Sequence, residues 1–173
     1  YDGARLSGAA IARFPHQDMG RLDDLLRTSR AAGSHRLLIV VDAVYSMDGD
    51  IAPLPQLLEL AERHQAVLVV DEAHSSGVLG AQGHGILEHF GMTRCPQALV
   101  LTGTLSKALG SQGGYVAGTR SMVDWMVNKS RGYIYATALA PASAAAALES
   151  LRVIADEPQR LQRLHQRVAQ LNQ

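Results

Sequence analysis

Three short stretches of the chain are apolar at every position: residues 37–41 (LLIVV), 67–70 (VLVV) and 98–101 (ALVL). Each gives way at once to a polar residue, Asp42, Asp71 and Thr102 respectively. Short, β-branched, uninterrupted runs predict strands buried on both faces, as in a parallel sheet. Between them apolar positions recur with helical spacing. Leu22, Leu25 and Leu26 mark a helix over residues 20–32. Leu54, Leu57, Leu58 and Ala61 mark another over 53–64, with Pro53 and Pro55 in its first turn. A glycine-bounded strand is predicted over 114–118 and a helix over 121–129. An alanine-rich helix is predicted from Pro141 to about Ala155, where Asp156-Glu157-Pro158 breaks it. A polar amphipathic helix then runs from Gln159 to Leu171. Strand–helix–strand alternation predicts right-handed crossovers and a mostly parallel sheet, in an α/β fold built as a three-layer α/β/α sandwich.

Composition narrows the function classes. With 16 basic and 16 acidic residues in 173, no basic excess points to a nucleic-acid or acidic-membrane partner. No stretch is long and apolar enough for a membrane span. The single cysteine, Cys95, excludes an internal disulfide and suits the reducing cytoplasm. The start, Tyr1-Asp2-Gly3, lacks Met and reads as the middle of a domain in a longer chain.

In open parallel sheets ligands bind outside the carboxyl ends of the strands. The polar residues that follow the apolar runs are therefore the candidates for chemistry. In Asp71-Glu72-Ala73-His74, alternation puts Asp71 and Ala73 on one side of the strand and Glu72 on the other. A strand-end Asp is most often a cap, an ion-pair member or a metal ligand. It also suits a carboxylate facing a protonated pyridine nitrogen, with Ala73 leaving room for a flat ring and His74 within reach of a phenolic oxygen. In Thr102-Gly103-Thr104-Leu105-Ser106-Lys107-Ala108-Leu109-Gly110, hydroxyls and free backbone N–H groups suit a phosphate. The pattern is not that of a nucleotide phosphate loop. Lys107 stands among small residues, where an amine becomes a Schiff-base former; the plain alternative is a solvated lysine. Residues 45–50 (YSMDGD) read mainly as turn, with Ser46 kept as a cofactor contact.

Three motifs in this order and spacing resemble the α-oxoamine synthases, a family of fold-type I pyridoxal-phosphate (PLP) enzymes. They are Ser46-Met-Asp-Gly-Asp-Ile-Ala-Pro, Asp71-Glu-Ala-His74 with Gly77-Val-Leu-Gly80, and Thr104-Leu-Ser-Lys107-Ala-Leu-Gly110. The likeness continues through Tyr133-Ile-Tyr-Ala-Thr-Ala-Leu-Ala-Pro141. The resemblance implies the large domain of a PLP-dependent transferase, with its central part in residues 1–155. Residues 156–173 would begin the connection to a small C-terminal domain. It implies that Lys107 forms a Schiff base with the cofactor and moves protons at the substrate Cα. Asp71 would pair with the ring nitrogen, His74 and Ser46 would lie near the phenolic oxygen, and Thr104 would bind the phosphate. Ala136 and Thr137 would serve the phosphate site of a neighbouring subunit, in a homodimer with shared active sites. Ser106, where the family often has glycine, would add a hydroxyl.

The family condenses an amino acid with an acyl thioester, in most members with loss of CO2. The stretches 2–8 and 46–54 look most like the members that join L-alanine to a pimeloyl thioester, on CoA or acyl carrier protein, in biotin synthesis. Glycine C-acetyltransferase, 5-aminolevulinate synthase and serine palmitoyltransferase are alternatives within the family. An aminotransferase of the same fold is another. A non-catalytic α/β binding module is the alternative from another class. The resemblance also implies that a ring-stacking histidine lies upstream of Tyr1 and a carboxylate-binding arginine beyond Gln173, so that this piece alone is inactive.

Overall fold

A computed structural model describes residues 2–171. The helices are α1 (Asp2–Leu6), α2 (Met19–Ala31), α3 (Leu54–Arg63), α4 (Ile86–His89), α5 (Arg120–Lys129), α6 (Arg131–Ile134), α7 (Pro141–Asp156) and α8 (Gln159–Leu171). The strands are β1 (Leu38–Asp42), β2 (Val67–Asp71), β3 (Leu99–Thr104) and β4 (Gly114–Ala117). They form one sheet in the order β1-β2-β3-β4. The first three run parallel, and β4 returns antiparallel to β3. Residues 105–113 are too few to make a crossover helix, so the chain can only turn back beside the strand it has left.

Alternation decides which face of the sheet is dry. Ile39, Leu68 and Leu99 form one cross-strand row, and Val41, Val70 and Leu101 the next. All six side chains are buried. Leu22 and Leu26 of α2, Leu54, Leu57, Leu60 and Ala61 of α3, and Ile86 of α4 close over them in a single core. Each fully buried Leu or Val there contributes about 1.5–3 kcal/mol.

The other face corrects an expectation. Leu38 and Val40 of β1 are each 63% exposed, so this strand is not buried on both faces. Burial grows inward along the row Val40–Val69–Val100, reaching 6% exposure at Val100 of the interior strand β3. Residues 14–17 border that face at Val40 but leave it open. The α/β sandwich is thus partial: α2 and α3 cover one side, while α7 and α8 lie across the loops after β2 and β3. Ser150 Oγ donates to the Leu109 carbonyl at 2.8 Å and Ser111 Oγ to that of Ser143 at 2.6 Å. His165 Nε2 meets the Val78 carbonyl at 2.9 Å.

The seam between α2 and the end of α3 is closed by His64 Nε2 on Asp23 at 2.6 Å and by the Arg30 guanidinium. Arg30 donates to the carbonyls of Ser34, His35, His64 and Gln65 at 2.8–3.1 Å. These carbonyls end two elements and have no ladder partner of their own, and bonds from a charged donor are the stronger kind. Arg30→Ala is expected to lower stability by about 2–3 kcal/mol. Arg30→Lys recovers little of it, because an ammonium cannot span the same fork. Chemical denaturation of the two variants checks this; equal stability of Arg30→Ala and the unaltered protein would contradict it.

Candidate active site

The site is built on the row of residues that ends the parallel strands. Asp42, Asp71 and Thr102 are register neighbours at the carboxyl ends of β1, β2 and β3. They point away from the core rows, onto the open side. Asp71 is half-buried, and its Oδ1 accepts the Ala73 backbone N–H at 2.8 Å. That bond turns the chain out of the strand and leaves the other carboxylate oxygen with no hydrogen bond among the described residues. Ala73 follows in the turn, half-buried, and carries only a methyl group.

Glu72 points the opposite way and is 4% exposed. Its Oε1 accepts the Ile86 N–H at the start of α4 at 2.7 Å and the Ser75 hydroxyl at 3.3 Å. Burial pushes its carboxyl pKa up against these bonds. Gly85 is required beside it: φ is 89°, and a Cβ would lie 2.3 Å from Glu72 Oε1. The inward acid thus anchors the loop 72–85, and the outward acid stays available.

Lys107 sits on the tight loop after β3. The loop is pinned by Leu105 N–H to the Gly113 carbonyl at 3.0 Å and Ser111 N–H to that of Leu105 at 2.8 Å. Its Nζ lies 2.9 Å from His74 Nε2. Two residues 33 apart in sequence, one after β2 and one after β3, are therefore in direct contact. The expected enclosure of Lys107 among small residues is not found. Lys107, His74 and Ala108 are exposed, because the described residues supply no wall over that side.

Hydroxyls gather at the end of β3. Thr104 Oγ1 is 2.7 Å from Ser106 Oγ and accepts the Ser106 N–H at 3.1 Å. The pair is suited to an anion. Behind it Tyr115 of β4 packs on Gly103, where a Cβ would come within 2.4 Å of the ring, and its hydroxyl bonds Ser76. Small size at Gly103 lets the tyrosine cross to the loop after β2.

Asp42 joins this group although the sequence reading did not single it out. Burial and the charge of Asp71 push its carboxyl pKa up, while His74 and Lys107 pull it down. The signal was present as a second acid ending an apolar run, but its pairing with Asp71 becomes visible only in the register.

Ser46, Ala136 and Thr137 are placed differently. Ser46 is exposed in the turn after β1, which is held by Tyr45 N–H to the Asp50 carbonyl at 3.0 Å. Ala136 and Thr137 are exposed between α6 and α7. Among the described residues no hydrogen bond joins any of the three to Asp71, His74 or Lys107.

Comparison with known proteins bears on what such a strand-end group does. The aminotransferase class I and II family matches residues 1–173. The chain belongs to that family. An 8-amino-7-oxononanoate synthase from Cupriavidus metallidurans is 52% identical over 164 residues, covering 95% of this chain and 39% of that protein. Among solved structures, a serine palmitoyltransferase from S. paucimobilis with PLP–myriocin bound has 35% identity and a TM-score of 0.85. The match covers 96% of this chain and 42% of that one. An 8-amino-7-oxononanoate synthase from Francisella tularensis has 32% identity and a TM-score of 0.78, covering 95% and 46%. The chain thus spans roughly two fifths of the length of the curated relatives it matches.

Proposed function

We propose that this chain is the cofactor-holding part of a PLP-dependent acyltransferase that condenses L-alanine with a pimeloyl thioester, on CoA or acyl carrier protein, and releases CO2. The observation that carries the reading is the contact of Lys107 Nζ with His74 Nε2 at 2.9 Å, between the loops that follow β3 and β2. The donor set fits the cofactor group by group. It offers an amine for an aldehyde, a carboxylate oxygen for a ring nitrogen, an imidazole for a phenolic oxygen, and a hydroxyl pair for a phosphate. The named relatives support the substrate class, since two of them are 8-amino-7-oxononanoate synthases.

When bound, PLP supplies an electron sink for the pair left at the substrate Cα. The residues of this chain do the rest. Lys107 would hold the cofactor through its amine and would hold and return the proton at the substrate Cα. Asp71 keeps a proton on the ring nitrogen by charge and hydrogen bond. His74 donates to the phenolic oxygen and orients the Lys107 amine. Thr104 and Ser106 hold the phosphate with their hydroxyls, and Ser46 completes the phenolic side.

The same reading gives a homodimer with shared sites, in which Ala136 and Thr137 reach the partner's phosphate. Its support is the exposed apolar surface around them: Trp125 is 60%, Tyr133 64% and Tyr135 72% exposed. Residues 1–155 then form the central part of the cofactor domain and 156–173 the connection onward; positions 1, 172 and 173 lie outside the described residues. No helix of the described residues is long and apolar enough to cross a membrane. A free Cys95 suits a cytoplasmic enzyme.

Mass analysis of products from the full-length protein tests the substrate reading. The protein is given alanine, glycine or serine with pimeloyl, acetyl, succinyl and palmitoyl thioesters. The expected product is the alanine–pimeloyl condensate with one CO2 lost. A palmitoyl product from serine would replace this reading with the serine palmitoyltransferase one.

A further inference from the structure

The acid beside Asp71 has no role in the reading above. Asp42 and Asp71 are Cα partners on adjacent parallel strands, which stand about 4.8 Å apart. The ends of the two strands are tied by Ala43 N–H to the Asp71 carbonyl at 2.8 Å. Neighbours in one row share a face, so both carboxylates project onto the open side while Ala43 is fully buried on the other. Like charges placed directly across two strands oppose folding. A chain that keeps such a pair at its strand ends breaks a local rule where function is expected.

We propose that Asp42 is a positioning residue of this site: its carboxylate supplies a second negative charge that, through Asp71, holds the proton at the cofactor ring nitrogen. The proposal rests on the PLP reading of the site. Asp71 has one oxygen committed to Ala73 N–H and one left for the ring. A single half-solvated carboxylate holds a pyridinium proton weakly, and a second charge behind it strengthens the hold. The charged and titratable groups facing Asp42 are Asp71, His74, Lys107 and Tyr45. His16 faces it across a cavity of about 260 Å3 that Asp42 and Tyr45 also line. Lys107 and His74, which touch each other, pull the Asp42 carboxyl pKa down against its burial. The sign follows directly. Removing a negative charge lowers the proton affinity of every base nearby. The plain alternative is an acid that only keeps an edge strand from pairing with another chain.

The test uses the full-length protein loaded with PLP, confirms its visible Schiff-base band, and follows the 15N shift of the ring nitrogen against pH at low salt. Asp42→Asn and Asp42→Ser are expected to lower the titration midpoint by about half a pH unit and to weaken PLP retention several-fold. Asp42→Glu restores both, and raised salt shrinks the shift. An unchanged midpoint in Asp42→Asn and Asp42→Ser overturns the proposal. So does a shift in Asp42→Glu as large as in Asp42→Asn. Absence of the Schiff-base band from the unaltered protein would overturn the reading of the site, and this proposal with it. A normal band with an unmoved midpoint overturns this proposal alone.

Discussion

Lys107→Ala, made in the full-length protein, is expected to abolish the Schiff-base absorbance and to lower turnover by about four orders of magnitude. Lys107 is exposed on a loop whose shape is set by backbone bonds, Leu105 N–H to Gly113 and Ser111 N–H to Leu105. Its side chain holds none of that geometry, so truncation leaves the fold intact. What disappears is the amine 2.9 Å from His74. PLP then remains only as a weak ligand of Asp71, His74 and Thr104. On the proposed reading the substrate proton would lose its base, since His74 is assigned to the phenolic oxygen. Absorbance and steady-state turnover measure both effects. Full turnover in Lys107→Ala would remove this residue from its role.

Asp71→Asn is the second large effect, and it separates chemistry from folding. The carboxamide oxygen can still accept the Ala73 N–H, the one side-chain hydrogen bond that Asp71 makes among the described residues. Thermal stability is therefore expected to change by less than about 1 kcal/mol. The remaining group facing the ring nitrogen becomes an amide, which carries no charge and cannot hold a proton there. Activity is expected to fall by two to three orders of magnitude, as when about 3–4 kcal/mol of transition-state stabilisation is lost. Parallel melting curves and rate measurements decide the matter. A rate near that of the unaltered protein would contradict the pairing of Asp71 with the ring.

Much of the fold could be read before any coordinates. Uninterrupted apolar runs mark β1, β2 and β3, and Pro158 sets the break between α7 and α8. Alternation put Asp71 and Glu72 on opposite sides, and their burial agrees, Glu72 being buried and Asp71 half-buried. The helices α1, α4 and α6 span only four or five residues, little more than one turn, so they leave no periodicity to detect. The apolar run of β1 misled, since composition reports what a strand tolerates and not what covers it. Leu38 and Val40 are open because covering is a tertiary fact. For the site, the spacing of Asp71 and His74 and the lone Lys107 were visible in residue chemistry. Ala136 and Thr137 were identified only by resemblance, and among the described residues no hydrogen bond joins them or Ser46 to the lysine. Asp42 stayed hidden for a physical reason: pairing across strands is invisible to a one-dimensional pattern until the register is known.

The central assignment, that the amine of Lys107 carries the cofactor, is tested most directly by trapping the bond. Full-length protein loaded with PLP is treated with borohydride, which reduces the carbon–nitrogen double bond to a stable amine, and is then digested for peptide mass spectrometry. The expected result is a single pyridoxyl-modified peptide with the label on Lys107. A label on another lysine, or no label in a protein that has taken up PLP, would contradict it.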